Sequence, residues 1–403
     1  MRNHVSISLF LFSHRFVMTM IIPPAQRLSR VQEYYFAGKL SEISQMREAG
    51  HPVINLGIGN PDLMPSEATL ETLITSARQP DTHGYQPYRG LPELRKAIAD
   101  WYERTYAVTL DPTQEVLPLM GSKEGITHLS LAFLNPGDEV LIPSLGYPAY
   151  RAVSEMVGAT VRTYPLIADT WQPDLENMQQ EDYSAVKLLW CNYPHMPTGA
   201  PARRETFEGL IQLARTKSLL ICHDNPYSLI LNERPPLSIL SVDGAREVAV
   251  ELNSLSKSHN MAGWRIGWLA GKAAYLNETI KVKSNVDSGM FRPMQEAAVR
   301  ALENSASWHD ERNAVYRRRR EIVYQLLDRL GCAYDAQQQG LFVWAELPPS
   351  APDAEGFVDT LLHEKHIFVT PGFIFGAAGN RYIRLSLCAS EATLAEALQR
   401  LSA

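Results

Sequence analysis

Between Pro65 and Gly271, short apolar runs alternate with longer stretches that carry apolar residues at helical spacing. Glu115–Met120, Asp138–Pro143, Lys187–Asn192, Leu219–His223, Val248–Leu252 and Ile266–Ala270 are apolar almost throughout rather than at every second position. A strand with that pattern is buried on both faces, which is the condition of a mostly parallel sheet covered by helices. Lys123–Leu134 and Glu205–Thr216 read as two covering helices, so the order is βαβ. Further on, Met294–Leu330 reads as one or two helices. Leu341–Leu347, Ile367–Thr370 and Tyr382–Leu387 then read as strands, and Glu355–Lys365 and Ser390–Leu401 as helices. That change of pattern predicts a second, α+β unit of about a hundred residues.

Toward the N-terminus, Ala25–Glu48 reads as a helical arm ending at Gly50, followed by an extended piece, Val53–Ile58, broken by Gly57, Gly59 and Pro61. Val5–Phe12 is apolar but too short to cross a bilayer, and no small-residue cleavage site follows it. The expected organisation is a disordered extension over 1–20, an arm and part of a small domain over 21–64, a large domain over 65–296, and the small C-terminal domain over 297–403.

Composition narrows the class of protein. The 403 residues are 45% hydrophobic and 20% charged, the balance of a globular chain. A formal net charge of −6 argues against nucleic acid or an anionic membrane as the main partner. The basic block Arg317–Arg320 reads as a solvated or subunit-facing helix surface. Cys191, Cys222, Cys332 and Cys388 form no C-x-x-C pair, which suits reduced thiols in a cytoplasmic protein. The 11 histidines are scattered, and His363 and His366 lack the cysteines or carboxylates that would complete a metal site, so none is expected.

Chemistry concentrates after the run Val248–Leu252, where Ser254-Leu-Ser-Lys257 continues to Gly263, Arg265 and Gly267. A lysine where a buried strand ends either snorkels to solvent or is a desolvated amine that forms an imine with a carbonyl. Spacing alone leaves both open. The segment resembles the pyridoxal-phosphate attachment motif of the class I/II aminotransferases, the aspartate aminotransferase-like superfamily of fold type I, and in that resemblance Lys257 is the Schiff-base lysine.

Further matches follow in family order from about Asn55 to Ser386. Asp224-Asn-Pro-Tyr227 resembles the D-x-x-Y whose carboxylate faces the pyridine nitrogen and whose tyrosine meets the ring's phenolic oxygen. Gly121-Ser122-Lys123-Glu-Gly125 is similar to the strand-to-helix turn that contacts the cofactor phosphate through Ser122 and Lys123, with Ser254 and Arg265 completing the cup. Tyr147 resembles the aromatic stacked on the ring. In His83-Gly-Tyr85, the tyrosine resembles the one that reaches a neighbouring subunit's phosphate, which implies a homodimer with shared sites. Arg384 resembles the arginine that grips the substrate α-carboxylate, and Gly59, in Gly57-Ile-Gly59-Asn-Pro-Asp62, resembles the glycine whose backbone approaches it. Arg292, in Gly289-Met-Phe-Arg292-Pro, could meet a distal substrate carboxylate, but it aligns with no family arginine, and a surface or interface place is expected for it.

The chain departs from the family at Asn192-Tyr-Pro-His195-Met196-Pro-Thr-Gly199, where Met196 stands in place of an asparagine that donates to the phenolic oxygen. Either Asn192 or His195 substitutes, or Tyr227 holds that oxygen alone.

The resemblance implies an α/β fold with a mostly parallel, seven-stranded sheet flanked by helices, plus a smaller α+β domain. It also implies a pyridoxal 5′-phosphate-dependent transfer of an amino group from an L-α-amino acid to a 2-oxo acid. Two alternatives stand beside it. Another reaction of the same fold, such as a C–S β-lyase, would carry the same motifs. A non-catalytic cofactor-binding regulator calls for a DNA-binding segment that the residues before Ala25 do not supply.

Overall fold

The computed structural model describes residues 21–30 and 35–402. The run Val5–Phe12, the rest of 1–20 and part of the arm lie outside the described residues. Among the described residues, thirteen strands follow in chain order: β1 Ile54–Asn55, β2 Val116–Leu119, β3 Glu139–Pro143, β4 Thr160–Tyr164, β5 Val186–Asn192, β6 Leu220–Asp224 and β7 Ala249–Ser254. They continue with β8 Gly267–Gly271, β9 Ala333–Tyr334, β10 Phe342–Glu346, β11 Ile367–Phe368, β12 Thr370–Pro371 and β13 Tyr382–Ser386.

Seven strands form the large sheet in the order β2-β8-β7-β6-β5-β3-β4. Every pairing from β7 to β4 is parallel, and β8 runs antiparallel to both its neighbours. The uninterrupted apolar runs have a direct cause. Leu188 and Trp190 of β5 pack with Leu220 and Cys222 of β6 under the helices Ser122–Phe133 and Pro148–Met156. Leu189, Cys191 and Ile221 point the other way, toward the helices Pro92–Tyr106 and Arg204–Lys217. Alternate residues thus enter two separate apolar layers.

One large-sheet strand, β4, has no counterpart among the expected strands. It lies at the sheet edge with residues Thr160 to Thr163 partly or fully exposed, so its sequence lacks the apolar run that marks its neighbours.

The C-terminal part forms an antiparallel sheet, β12-β13-β10-β9, packed with the helices Ala306–Arg329, Ala354–Lys365 and Glu391–Ser402. Ile43, Val53, Ile54 and Leu56 belong to the same apolar cluster, and β1 pairs in parallel with β11. The stretch expected as one strand, Ile367–Thr370, divides between two sheets: β11 joins β1, and β12 joins β13. Met294–Leu330 is two helices, Arg292–Leu302 and Ala306–Arg329. Ser305 starts the second by accepting from the Trp308 N–H.

The basic block on that helix corrects the expectation of a solvated or subunit-facing surface. Arg317 and Arg318 are exposed, but Arg319 is buried and grips Asp62 at 2.6 and 2.8 Å. Arg320 donates to the Gln338 carbonyl. Helical periodicity divides four consecutive residues between two faces, and the inward pair ties the helix to neighbouring loops.

Candidate active site

The carboxyl ends of β5, β6 and β7 open, together with the start of the helix Ser122–Phe133 and the loop after β1, into a cavity of about 510 Å³. A crevice at the carboxyl ends of parallel strands is the usual ligand site of such a sheet. Of the twelve residues singled out from the sequence, eleven line it, and Tyr85 does not.

Asp224 ends β6 and is buried. Its Oδ2 accepts from the Tyr150 hydroxyl at 2.9 Å, whereas Oδ1 has no hydrogen-bond partner. Burial pushes its carboxyl up to about 6, against the opposing effects of the Tyr150 hydroxyl and the nearby His223. A buried acceptor without a donor is costly, so Oδ1 matches a ligand that brings an N–H. Tyr150 is a functional contact that the sequence reading missed. Its place three residues after Tyr147, at the start of the helix Pro148–Met156, was the available signal.

Gly121 precedes the helix Ser122–Phe133, whose first residues also line the cavity and whose start no side chain caps. Gly121 has φ +86°, and a Cβ there would lie 2.0 Å from the Arg265 guanidinium. Only glycine lets that cation rest against the turn. Ser122, Lys123, Ser254 and Arg265 therefore converge on a helix N-terminus, an arrangement suited to a phosphate. The free Asp224 oxygen and this cationic turn, both lining one cavity, fit the ring nitrogen and phosphate of pyridoxal phosphate.

Lys257 lines the same cavity. Its Nζ donates to the Gly59 carbonyl at 2.6 Å. Burial lowers its pKa below the ordinary lysine value, and the Arg384 and Arg265 cations act in the same direction. Tyr147 and Tyr227 line the same cavity, and burial pushes the Tyr227 phenol up.

Arg384 comes from β13, more than a hundred residues later in the chain, and is buried. It donates to the Gly57 carbonyl at 2.9 Å, and its guanidinium carbon sits 3.7 Å from the Phe342 ring centre and 4.7 Å from that of Phe375. Two aromatic faces hold the fork flat. Gly59 is required by close approach, since a Cβ there would meet the Phe342 ring at 2.2 Å.

Around Met196, both candidate substitutes have local partners. His195 is buried with Nδ1 against the Thr198 hydroxyl at 2.8 Å and Nε2 against the Leu145 carbonyl at 3.1 Å, and burial lowers its pKa to about 4. Asn192 donates to the Asp224 carbonyl at 2.6 Å and accepts from the Met196 N–H at 2.8 Å. Both side chains are committed to local partners. The Met196 sulfur instead lies 3.3 Å from Arg384 Nη1.

Tyr85 is 93% exposed, on a segment where His83 packs against Phe291 at 5.6 Å between ring centres. Arg292 is half-buried outside the cavity and pairs with Glu296 at 2.6 Å and Asp81 at 3.4 Å. Among the described residues, Glu124, His128 and Asp287 bring metal-type ligand atoms within 4.8 Å of one another. There Lys283 already donates to both oxygens of Asp287, at 2.7 and 2.8 Å, so an ammonium takes the place of a metal cation.

The family model for aminotransferase class I and II matches residues 51–401. A protein named LL-diaminopimelate aminotransferase from Dehalococcoides mccartyi is 40% identical over 380 residues, covering 94% of this chain and 98% of that protein. The substrate-bound structure of BacF from Bacillus subtilis superposes with a TM-score of 0.90 at 33% identity, covering 95% of this chain and 97% of the other. Aspartate aminotransferase from Thermus thermophilus with maleate gives a TM-score of 0.88 at 27% identity, over 95% and 99% of the two chains.

Proposed function

The chain belongs to the class I and II aminotransferases, and on that premise we propose that Lys257, Asp224 and Arg384 carry its chemistry in the cavity at the ends of β5–β7. It is a pyridoxal-phosphate-dependent transaminase that transfers an amino group to a 2-oxo acid. The observation that carries the assignment of residues is their convergence. A desolvated amine, a buried carboxylate with one free oxygen and a buried guanidinium meet in one cavity, although they come from distant parts of the chain.

Ser122, Lys123, Ser254 and Arg265 would hold the cofactor phosphate, Tyr147 would cover the ring, and Asp224 and Tyr227 would meet its nitrogen and phenolic oxygen. Bound there, the cofactor supplies an aldehyde carbon for amines and a protonated ring that withdraws electrons from the substrate Cα. Arg384 binds the substrate carboxylate through its fork and so fixes the direction of the Cα–H bond. Lys257 takes the proton from Cα and returns it, a task helped by a pKa lowered toward the working range. The aromatic walls Phe342 and Phe375 exclude water beside Arg384 and strengthen its grip.

Residues 65–296 form the cofactor-binding unit in this reading, and 21–64 with 297–403 form the smaller one. The shared apolar cluster of the N-terminal and C-terminal segments supports that division. A homodimer is supported by Tyr85, whose exposed ring suits a contact with the neighbouring copy's phosphate site. Four free thiols favour a cytoplasmic location. Among the described residues no helix is long and apolar enough to cross a membrane.

The name of the relatives at 40% identity supports LL-diaminopimelate as the amino donor to test first. Its methylenes would run along the apolar side of the cavity, where Leu40 and Ile58 lie. A panel of amino acids with 2-oxoglutarate as acceptor reads the donor directly. Conversion of other amino acids but not LL-diaminopimelate would refute the donor and leave transamination standing. Lys257→Ala should lower turnover by roughly a thousandfold or more while the protein keeps its fold and still retains cofactor through the phosphate. Near-normal turnover in that variant would refute the assignment of Lys257.

A further inference from the structure

A buried histidine–glutamate pair lies behind Asp224, on the other face of the large sheet, and the chemistry above makes no use of it. His223 and Glu251 stand opposite each other across β6 and β7, and both are fully buried. His223 Nδ1 lies 2.9 Å from Glu251 Oε2, and His223 Nε2 lies 3.0 Å from the Tyr193 carbonyl oxygen. Glu251 also accepts from the Ser238 hydroxyl at 2.7 Å, the Tyr102 hydroxyl at 2.8 Å and the Ile239 N–H at 3.1 Å.

A peptide N–H only donates, and a carbonyl oxygen only accepts. Glu251 therefore accepts from Ile239, and His223 Nε2 carries a proton for the Tyr193 carbonyl. One further proton lies between His223 Nδ1 and Glu251 Oε2. The ionisable side chains packed around the pair, Tyr102, Tyr106 and Cys191, are pushed up by burial and stay neutral.

We propose that His223, with Glu251 as its counter-ion, is a positioning residue that keeps Asp224 ionised, and so keeps the proton it shares with the bound cofactor on the ring nitrogen. The proposal rests on the reading that Asp224 meets that nitrogen. Orientation gives the pair its effect: with the shared proton on His223, the cation is the chain neighbour of Asp224, whereas the Glu251 anion is on the next strand. Burial dominates the Asp224 carboxyl and favours its neutral form; Tyr150 and His223 oppose burial, and Glu251 reinforces it less strongly than His223 resists. The other groups facing Asp224 are Tyr227 and Cys191, which burial keeps neutral, and Lys257 within the same cavity. The same histidine anchors the Tyr193 carbonyl, at the start of the turn that carries Met196.

The test uses holoenzyme reconstituted with pyridoxal phosphate labelled with 15N in the ring. In the double variant His223→Gln/Glu251→Gln, two amides replace the pair at similar size and leave no charge unmatched. The ring-nitrogen resonance should move toward its unprotonated position at neutral pH, and kcat should fall about tenfold with KM little changed. A lower melting temperature with the resonance and kcat unchanged means a purely structural pair and overturns the proposal. Asp224→Asn is the control. If it leaves the resonance in place, the underlying reading of Asp224 fails; if it moves the resonance and the double variant does not, only the proposal fails. Wild-type holoenzyme labelled with 15N-histidine tests the premise without any variant. Two protonated nitrogens are expected for His223, and a neutral ring there overturns the proposal.

Discussion

Asp224→Asn should make the cofactor-free protein more stable at neutral pH while removing most of its activity. The carboxyl rises from an ordinary 3.8 to about 6 on folding, chiefly through burial. A carboxyl whose folded pKa is raised takes up protons on folding between those two values. Its unfavourable effect is therefore absent below 3.8, grows by about 1.4 kcal/mol per pH unit, and is complete above about 6. The total is about 3 kcal/mol. Asparagine keeps an oxygen to accept from Tyr150 and removes the charge, so the variant should gain up to that amount. Denaturant unfolding of both cofactor-free proteins at several pH values from about 5 to 8 measures the difference. The gap should roughly double between pH 5 and pH 7 and then level off. A gap that does not change with pH, or a wild type that is the more stable at pH 8, would refute the reasoning. With cofactor the order reverses, because the wild-type carboxylate gains the ring N–H that its free Oδ1 lacks. The stabilisation conferred by pyridoxal phosphate should be smaller in the variant, and its kcat lower by roughly a hundredfold or more.

Three further outcomes follow from the geometry. Mixed subunits of Tyr85→Phe and Lys257→Ala should recover activity that neither variant has alone, because one shared site is then intact; a fully active monomer in sedimentation at assay concentration contradicts this. Met196→Asn should lower the midpoint of the holoenzyme's visible absorbance titration, since His195 and Asn192 are committed elsewhere and the variant adds a donor near the phenolic oxygen; an unchanged or raised midpoint at full cofactor occupancy refutes it. Gly59→Ala should raise KM for amino acids about tenfold or more with cofactor retained, because its methyl drives the loop away from Phe342 and Lys257 loses its Gly59 contact; a normal KM shows that Phe342 moves aside freely.

The large sheet was legible because β5, β6 and β7 are covered on both faces, which forces apolar residues at consecutive positions. Edge strand β4 was not, because one-sided exposure erases that pattern. The same distinction applies in the site. Lys257, Asp224, Ser122 and Arg265 stand in local motifs at strand ends, where backbone geometry ties spacing to position. Tyr150 lies just outside such a motif, and its contact with Asp224 spans 74 positions, a separation that local pattern does not encode.

Strand periodicity in the sequence determined the α/β class, because it is a local consequence of backbone geometry, and resemblance to the family's motifs supplied the cofactor. Tertiary structure decided which partners each polar group has. It turned Arg319 inward onto Asp62, laid the Met196 sulfur against Arg384, and committed Asn192 and His195 to other partners. It also placed His223 between Glu251 and the Tyr193 carbonyl on the far side of the sheet from Asp224. Burial and hydrogen-bond partners come from chain segments far apart in sequence, and they set the charge state of a group whose identity the sequence alone supplies.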